Sequence, residues 1–313
     1  MKAVRFDEYG PVEVLDVRDV PVPEPGQGEV LVRVRAAGIN PGEAKIREGA
    51  LHELWPATFP SGQGSDFAGV VDRLGPDVAT FAPGDDVIGW VDTRSSQAEY
   101  VVAEAANLAR KPAGLPWEVA GAIPVAGFTA WAMVRAVNLK PGDTVVVTGA
   151  AGGVGSIAVQ LAKRKGATVI GLAGPSNHDW LRRHGVLPVA YGDRAAERIR
   201  DTANADAGAR IDAFLDTYGG DYVEVALNDL KVSPDRVDTI VRFDAGAKYG
   251  VKVDGNAAGA SAATLSELAA LAAAKELEIP LAHTFPLRDV RAAYTQLAKG
   301  HVRGKIVLIA ASH

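Results

Sequence analysis

The 313-residue sequence contains no cysteine. This absence excludes disulfide bonds and every metal site built on thiolate ligands, and it is compatible with a reducing compartment. Histidine is also scarce. The six histidines are scattered along the sequence and form no cluster at the spacing of metal ligands. The sequence therefore predicts that no zinc site of the usual Cys and His composition is present.

Long apolar runs and an excess of basic charge are lacking as well. No window approaches 18 uninterrupted apolar residues, and the opening MKAVRFDEYG has no apolar segment of the signal-peptide kind. The net charge is −5, which argues against a surface that follows the phosphates of DNA or RNA. We expect a soluble, cytoplasmic protein that binds neither a membrane nor a nucleic acid.

The chain that remains has an ordinary globular composition, with 48% hydrophobic residues and a length typical of about two domains. Its first part shows short alternating strands, for example at residues 12–17 and 29–36, separated by Pro and Gly. This pattern is typical of a mainly antiparallel barrel. Residues 1–122 plus 259–313 are predicted to form that domain, and residues 123–258 an α/β dinucleotide-binding domain.

A glycine-rich turn lies in the predicted α/β domain. The stretch VVVTGAAGGVG places four glycines within residues 149–155, between a β-branched run that predicts a buried strand and a segment, 156–165, that predicts a helix. A strand, a tight turn and a helix N-terminus together form a binding site for the diphosphate of a dinucleotide. The following segments alternate between helix and strand patterns, as in a doubly wound parallel sheet.

The end of the second strand of this domain indicates which dinucleotide is bound. NAD-selective sites place an acid there, whereas the first acid after Asp143 in this chain is Asp179. The strand instead ends in LAGPSNH, with Arg182 and Arg183 nearby, which leaves room and donors for a 2′-phosphate. The sequence therefore predicts NADPH as the cofactor.

Several ordered motifs resemble one family along essentially the full length. They are GINPGEAKIREG (38–49), GSDFAGVVDRLG (64–75), a Pro-Gly-Asp turn (83–85), VAGFTAW (125–131), VTGAAGGVG (147–155) and GHVRGKIVL (300–308). This combination is similar to the quinone oxidoreductase (zeta-crystallin-like) branch of the zinc-independent medium-chain dehydrogenase/reductase superfamily. The resemblance implies an α/β fold with a Rossmann domain, a doubly wound parallel sheet, inserted into a GroES-like partial β-barrel, with a cofactor in the cleft. It also implies metal-free hydride transfer from NADPH to a quinone or an α,β-unsaturated carbonyl compound.

Three residues are catalytic candidates. By resemblance, Asn40 lies near the nicotinamide ribose and Thr129 lies under the nicotinamide, although an Asn before Pro is also a common turn residue and a Thr at a helix start is often a cap. Lys45 stands where a pocket tyrosine is common; it either donates to a substrate oxygen or is simply solvated, and the second reading is favoured. Glu43 replaces the usual Asp, and the catalytic acid stays unassigned.

The cofactor-binding candidates come from the turn, from strand ends and from the C-terminal motif. Beside Asn40 and Thr129 they are Ala150, Ala151, Gly152, Gly153, Val154, Gly174, Ser176, Tyr191, Tyr218, Ile240, Val241 and Lys305. By resemblance, Tyr191 lies beside the adenosine phosphate, while Lys305 either contacts the cofactor or closes the barrel.

Two other functions stay open. One is an alcohol or carbonyl dehydrogenase, which is less favoured because no metal ion polarises the substrate oxygen. The other is a non-catalytic, NADPH-binding sensor protein, since a fold does not imply turnover. The strand-like run at residues 249–253 predicts a sheet that extends across a two-fold axis, and hence a homodimer.

Overall fold

The computed structural model describes residues 1–207 and 210–310 of the chain. They form two compact units: unit 1 comprises residues 1–125 and the described residues from 260 onward, and unit 2 comprises Ala126–Gly259. In the described parts of the chain, no helix has both the length and the apolar character needed to cross a membrane.

Strands dominate unit 1, whereas strands and helices alternate in unit 2. The strands are β1 (Lys2–Phe6), β2 (Asp16–Asp19), β3 (Glu29–Ile39), β4 (Ser61–Gly62), β5 (Asp66–Leu74), β6 (Asp86–Trp90), β7 (Tyr100–Glu104), β8 (Leu108–Arg110), β9 (Thr144–Val147), β10 (Thr168–Leu172), β11 (Leu187–Val189), β12 (Ala213–Asp216), β13 (Val237–Thr239), β14 (Leu281–Pro286) and β15 (Lys305–Ile309). The helices are α1 (Pro41–Arg47), α2 (Trp117–Ala120), α3 (Pro124–Ala136), α4 (Gly155–Arg164), α5 (His178–Arg183), α6 (Ala195–Ala207), α7 (Tyr222–Glu224), α8 (Asp244–Tyr249), α9 (Asn256–Gly259), α10 (Ala262–Ala273) and α11 (Val290–Ala298).

Unit 1 is built on sheets whose strands are mainly antiparallel. The longest strand, β3, pairs with β5, β7 and β15, and the larger sheet continues through β6 and β8 on one side and β14 on the other. Strand β15 comes from the C-terminal part of the chain, yet it lies beside β3, with Ile306 opposite Ile39. A second, smaller sheet has the order β2-β1-β4. Both parts of the chain are therefore needed to build unit 1.

Unit 2 contains a parallel sheet of order β11-β10-β9-β12-β13. Every residue of β9 is buried, as expected for a central strand that is covered on both faces, and its β-branched side chains suit that position. The core of the unit includes Val146, Ile170 and Phe214 from three neighbouring strands. This doubly wound sheet, together with the mainly antiparallel sheets of unit 1, confirms the predicted fold class.

Two predicted strands are wrong in part. In residues 12–17, Val12–Val14 form a 3₁₀ turn and the strand β2 begins at Asp16, because it is Asp16–Asp19 that pairs with β1. The run at 249–253 starts in the last residue of α8, and a single parallel bridge joins Lys252 to Asp238 of β13. Alternating apolar residues predicted a strand in both places, but a strand also requires a neighbour in register.

Candidate functional site

The glycine-rich turn of unit 2 connects β9 to α4. Gly149 has a φ of +59°, a left-handed conformation that favours glycine. A Cβ at Gly155 would lie 2.1 Å from the carbonyl oxygen of Gly149, so a side chain at this first helical position would collide with the backbone. The amide of Gly152 donates to the same carbonyl oxygen at 2.7 Å. Two of the motif's glycines are thus required by the shape of the turn itself.

Residues at or just after the ends of three other strands of the sheet hold this turn. The amide of Ala150 donates to the carbonyl of Leu172, the last residue of β10, at 3.0 Å. After β12, the Thr217 hydroxyl donates to the carbonyl of Thr148 at 2.7 Å. After β11, the Tyr191 hydroxyl accepts a hydrogen bond from the amide of Gly149 at 2.5 Å. The conformation of the turn is therefore fixed before any ligand binds.

A single buried carboxylate joins the loops beside the turn. Asp216, the last residue of β12, is fully buried. Its Oδ1 accepts hydrogen bonds from the Thr148 hydroxyl at 2.7 Å and from the amides of Tyr218 and Gly219 at 3.1 and 2.9 Å. Its Oδ2 accepts from the Thr239 hydroxyl at 2.8 Å. Asp216 therefore connects the carboxyl ends of β9, β12 and β13 with uncharged donors only.

Three tyrosines stack at the same edge of the sheet. The rings of Tyr191 and Tyr218 lie nearly parallel, with centroids 4.7 Å apart, and Tyr222 meets both edge-on. Burial, more than any other cause, raises the pKa of the Tyr191 hydroxyl, so this group keeps its proton over the physiological range. Tyr218 is 60% exposed. The cluster thus presents one aromatic ring to solvent next to the glycine-rich turn.

The end of β10 is open. A Cβ added at Gly174 would meet no heavy atom of the described residues within 4 Å, and Ser176 is exposed in the 3₁₀ segment that follows. Asp179 is paired with Arg182 at 2.7 Å. The position of Gly174 therefore has space for an additional ligand group.

The structure brings most of the predicted cofactor residues of unit 2 together. The turn, Gly174, Ser176, Tyr191, Tyr218, Ile240 and Val241 all follow the carboxyl ends of the parallel strands. This is the edge at which open α/β sheets bind ligands. Thr129 does not follow a strand of this sheet; it is a buried residue of α3, which precedes β9 in the chain.

In unit 1, Asn40 is the centre of a network of buried polar side chains. It precedes α1, and its amide nitrogen donates to Glu43 Oε1 and to Asp66 Oδ2, both at 3.0 Å. Its amide oxygen accepts a hydrogen bond from Lys305 Nζ at 2.5 Å. The structure therefore places the two predicted residues Asn40 and Lys305 in direct contact, although 265 positions separate them.

Glu43 is the second centre of this network. Its carboxylate also accepts hydrogen bonds from the backbone amides of Asn40 and Ser65, both at 3.1 Å, and from the Tyr294 hydroxyl at 2.7 Å. Burial raises the pKa of Glu43, and the charge of Asp66 raises it further. Burial and the neighbouring Glu43 also raise the pKa of Tyr294 well above its usual value. These two groups share one short hydrogen bond inside the protein.

We call Asn40, Glu43, Asp66, Tyr294 and Lys305 the buried charge network. Its ion pair joins Lys305 Nζ to Asp66 Oδ2 at 3.2 Å, and both side chains are at least 95% buried. The network contains two carboxyl groups but one ammonium group. The guanidinium of Arg47, itself 2% exposed, lies 5.3 Å from the centre of the Tyr294 ring, and its charge is paired with Glu48 at 2.7 Å.

Other candidates in unit 1 differ in their exposure. Lys45 is exposed on α1, and in the described residues it has no carboxylate partner. Phe67 and Trp90 are buried in the core, whereas Trp55 is 43% exposed. Leu54 and Phe59 are exposed in the same loop. Among the described residues, no group of three or more His, Asp or Glu side chains is placed to hold a metal ion.

Sequence reasoning missed most of the buried charge network. The signal for Glu43 was its place three residues after Asn40, the spacing of a capping box. Asp66 stands in the GSD motif at the start of β5 but was not linked to Lys305. Tyr294 lies in the helix α11, where an aromatic residue on the buried face is typical of core packing, and nothing in the local sequence indicates its polar role.

The chain is similar to known proteins in both of its units. Residues 26–137 match the family model described as alcohol dehydrogenase GroES-like domain, and residues 189–308 match the model described as zinc-binding dehydrogenase. A quinone oxidoreductase of Pseudomonas aeruginosa is 34% identical over 232 residues, which cover 72% of this chain and 69% of that protein.

Two further relatives extend this result. The quinone oxidoreductase of Homo sapiens is 38% identical over 176 residues, 56% of this chain and 53% of the relative, so the match spans about half of its length. The structure of the quinone oxidoreductase from Coxiella burnetii superimposes with a TM-score of 0.86 at 32% identity and covers 99% of both chains.

Proposed function

Because this chain belongs to the quinone oxidoreductase branch of the medium-chain dehydrogenase/reductase superfamily, we propose that it is an NADPH-dependent oxidoreductase whose hydride acceptor is a quinone or an α,β-unsaturated carbonyl compound. The observation that carries this proposal is the glycine-rich turn at the carboxyl edge of the parallel sheet in unit 2. The reaction proceeds without a metal ion, and the acceptor is a small molecule.

The shape of the turn fits the diphosphate of a dinucleotide. Gly152 and Gly153 are partly exposed, while Ala150 and Ala151 before them are buried. The exposed face of the turn is therefore backbone, which lets phosphate oxygens approach the peptide amides and the N-terminus of α4. The neighbouring loops supply Tyr218, Ile240 and Val241 as further contacts for the cofactor.

When bound, the nicotinamide cofactor supplies the hydride. Asn40 and Thr129 orient its ring in our proposal, whereas the exposed Lys45 is solvated and the proton donor stays unassigned. The amide of Asn40 is fixed by Glu43, Asp66 and Lys305, so its orientation costs no further ordering when a ligand binds. In this arrangement, Lys305 acts by holding Asn40.

The donor chemistry of the chain supports a metal-free reaction. Thiolate ligands are absent from the whole sequence. Asp66, a buried carboxylate of unit 1, is already bound by Lys305 and Asn40. Hydride addition to a quinone or an activated C=C bond produces an oxyanion that hydrogen-bond donors and a proton from water can stabilise.

The exposed loop of unit 1 offers an apolar surface for the acceptor. Leu54, Trp55 and Phe59 are 60%, 43% and 40% exposed. Large exposed apolar side chains within a short loop are typical of surfaces that bind apolar ligands. A planar, apolar acceptor such as a quinone fits this surface better than a small polar alcohol does.

The preference for NADPH depends on the open end of β10. An acid there would accept a hydrogen bond from a ribose 2′-hydroxyl and repel a 2′-phosphate. Gly174 leaves space for the phosphate, and Gly174→Asp is expected to reverse the ratio of kcat/KM between NADPH and NADH. If the wild-type enzyme uses NADH as efficiently as NADPH, this part of the proposal is wrong.

The test of the proposed activity combines turnover with binding. We expect NADPH oxidation with a panel of small quinones and enones, and a decrease of tenfold or more in turnover for Asn40→Ala with a smaller change in cofactor affinity, because a misplacement of about 1 Å costs up to ~100-fold in rate. Turnover of alcohols but not of quinones would favour the dehydrogenase alternative. Cofactor binding without any turnover would favour the sensor alternative.

We also propose a homodimer that forms along residues 249–253, which extend the edge of the sheet beyond β13. Residues 250–253 lie beside this strand, where the amide of Lys252 donates to the carbonyl of Val237 at 2.8 Å, and Val253 is exposed. A two-fold axis at this edge would bury Val253 in both subunits. Sedimentation equilibrium at micromolar concentration tests this, and a monomer would contradict it.

A further inference from the structure

By resemblance, Tyr191 lies beside the adenosine phosphate of the cofactor, whereas in this structure its hydroxyl contacts the glycine-rich turn. We propose that Tyr191 is a positioning residue that holds the glycine-rich turn in its ligand-binding conformation and is not a ligand of the adenosine 2′-phosphate. The inference depends on the proposed function in one respect, namely that a nicotinamide dinucleotide binds at this turn.

The Tyr191 hydroxyl lies at the glycine-rich turn and not at the end of its own strand. Tyr191 follows β11, the edge strand of the sheet, and the open end of β10 lies between it and β9. The hydroxyl nevertheless accepts its hydrogen bond from Gly149, which follows β9, at 2.5 Å. The side chain therefore passes the end of β10, where Gly174 and Ser176 leave space for a 2′-phosphate, and reaches the base of the turn.

The Tyr191 ring also contacts two neighbouring aromatic rings. Tyr218, which follows β12, stacks on Tyr191 with an angle of 28° between the rings. Tyr222 packs edge-on against both, with centroid distances of 5.9 and 5.8 Å. Three rings that fix one another leave Tyr191 little freedom to swing its hydroxyl back to the end of β10.

Gly149 is the residue at which a hydrogen bond has the most effect on the turn. Its φ is positive, its carbonyl accepts the amide of Gly152, and the same carbonyl lies against Gly155 at the start of α4. A rotation at Gly149 would therefore move both the phosphate-binding amides and the first turn of the helix. The Tyr191 hydroxyl satisfies the amide of this pivot and prevents such a rotation.

This assignment predicts that removal of the hydroxyl affects both cofactors alike. A phosphate ligand, when removed, would weaken NADPH alone, because NADH lacks the 2′-phosphate. A residue that holds the turn, when removed, would weaken the binding of the diphosphate that both cofactors share. The ratio of the two dissociation constants therefore distinguishes the two roles.

The experiment titrates the full-length protein with NADPH and with NADH and follows cofactor fluorescence. For Tyr191→Phe we expect the dissociation constants of both to rise about tenfold, with their ratio unchanged within twofold. The matched control is Tyr249→Phe, which removes another hydroxyl of unit 2, bound to Glu224 at 2.8 Å, and should change neither constant. A loss confined to NADPH, or no loss at all, would overturn the inference.

Amide hydrogen exchange decides the same question without a cofactor. In Tyr191→Phe, exchange in residues 148–155 should accelerate about tenfold relative to the wild type, while β12 and β13 of the same unit keep their rates and so report that unit 2 is folded. Unchanged exchange in the turn would contradict the role of Tyr191. If the wild-type protein binds neither cofactor, the proposed function fails, and the exchange rates still test whether Tyr191 holds the turn.

Discussion

The buried polar groups of the two units stabilise their surroundings in different ways. In unit 1, the buried charge network opposes two carboxyl groups with the single ammonium of Lys305. In unit 2, Asp216 is surrounded by hydroxyl and amide donors that carry no charge. Unit 1 thus depends on charge compensation, whereas the edge of the sheet in unit 2 depends on hydrogen-bond geometry.

This difference has a consequence for tolerance to substitution. A buried charge that loses its partner is far more costly than a hydrogen bond that loses one of several donors. We therefore expect unit 1 to respond most strongly to changes of charge, and unit 2 to changes of backbone shape near the turn. Substitutions at Lys305, Asp238 and Gly155 test this contrast.

The largest effect is expected for Lys305→Met, which removes the ammonium group and leaves Asp66 and Glu43 buried together. Breaking a buried ion pair costs about 3–5 kcal/mol of folding free energy. The measurement is urea-induced unfolding, with Lys299→Met, an exposed lysine of the same chain, as the control. The double variant Lys305→Met/Asp66→Asn should regain part of the loss. A loss below ~1 kcal/mol for the single variant would show that charge compensation is unimportant in unit 1.

Asp238 of β13 is an exception in unit 2, because its stability contribution depends on charge. It is a buried carboxyl group whose Oδ2 has no hydrogen-bond partner in the described residues. Burial, followed by the charge of Asp254, raises its pKa to about 7, while Lys252 lowers it less. Because the folded protein binds the Asp238 proton more tightly than the unfolded chain does, this proton contributes to the free energy of unfolding. The contribution is fully present below the ordinary Asp pKa of about 3.9 and is lost as the pH rises to about 7. The loss amounts to on the order of 4 kcal/mol.

Asp238→Asn should remove this pH dependence, since the amide carries no charge at any pH. We expect the variant and the wild type to melt at similar temperatures near pH 4, and the variant to be more stable above pH 7. Melting curves at several pH values measure the difference between the two proteins. Parallel curves across the whole range would mean that Asp238 is ionised throughout.

The smallest of the three effects on stability is expected for Gly155→Ala, because the new Cβ would lie 2.1 Å from the Gly149 carbonyl oxygen and the turn must move. We expect a loss of about 2 kcal/mol, as for other overpacked sites, together with a large loss of cofactor affinity. Gly255→Ala is the matched control, since its Cβ also enters open space and the residue lies outside the turn. Equal behaviour of the two variants would show that the close contact at Gly155 has no importance.

The sequence was informative where function depends on local chain geometry. The order of the motifs predicted the fold class, and the glycines of the turn predicted the strand, turn and helix that the structure contains. The sequence was less informative about contacts between distant segments. Nothing near Tyr294 indicates that its hydroxyl reaches Glu43, 251 positions away, because the contact depends on how α11 packs in unit 1.

The direction of the Tyr191 side chain could not be predicted for a related reason. Its contact with Gly149 requires that β11, β10 and β9 lie side by side in that order, which is a property of the assembled sheet. The run at 249–253 shows the opposite case, in which a favourable local pattern lacked a neighbour for most of its length. Local patterns predicted elements, and the pairing of those elements determined which side chains meet.

The arrangement of unit 1 also affects how the chain matures on the ribosome. Glu43 emerges 251 residues before Tyr294, and at 5–20 residues per second this interval lasts roughly 10–50 s. During that time Glu43 and Asp66 are without their C-terminal partners, while the continuous segment of unit 2 is synthesised in full. The newly made protein therefore passes through a stage in which unit 2 can fold and unit 1 awaits β15, and chaperones that recognise exposed strands would act on this stage.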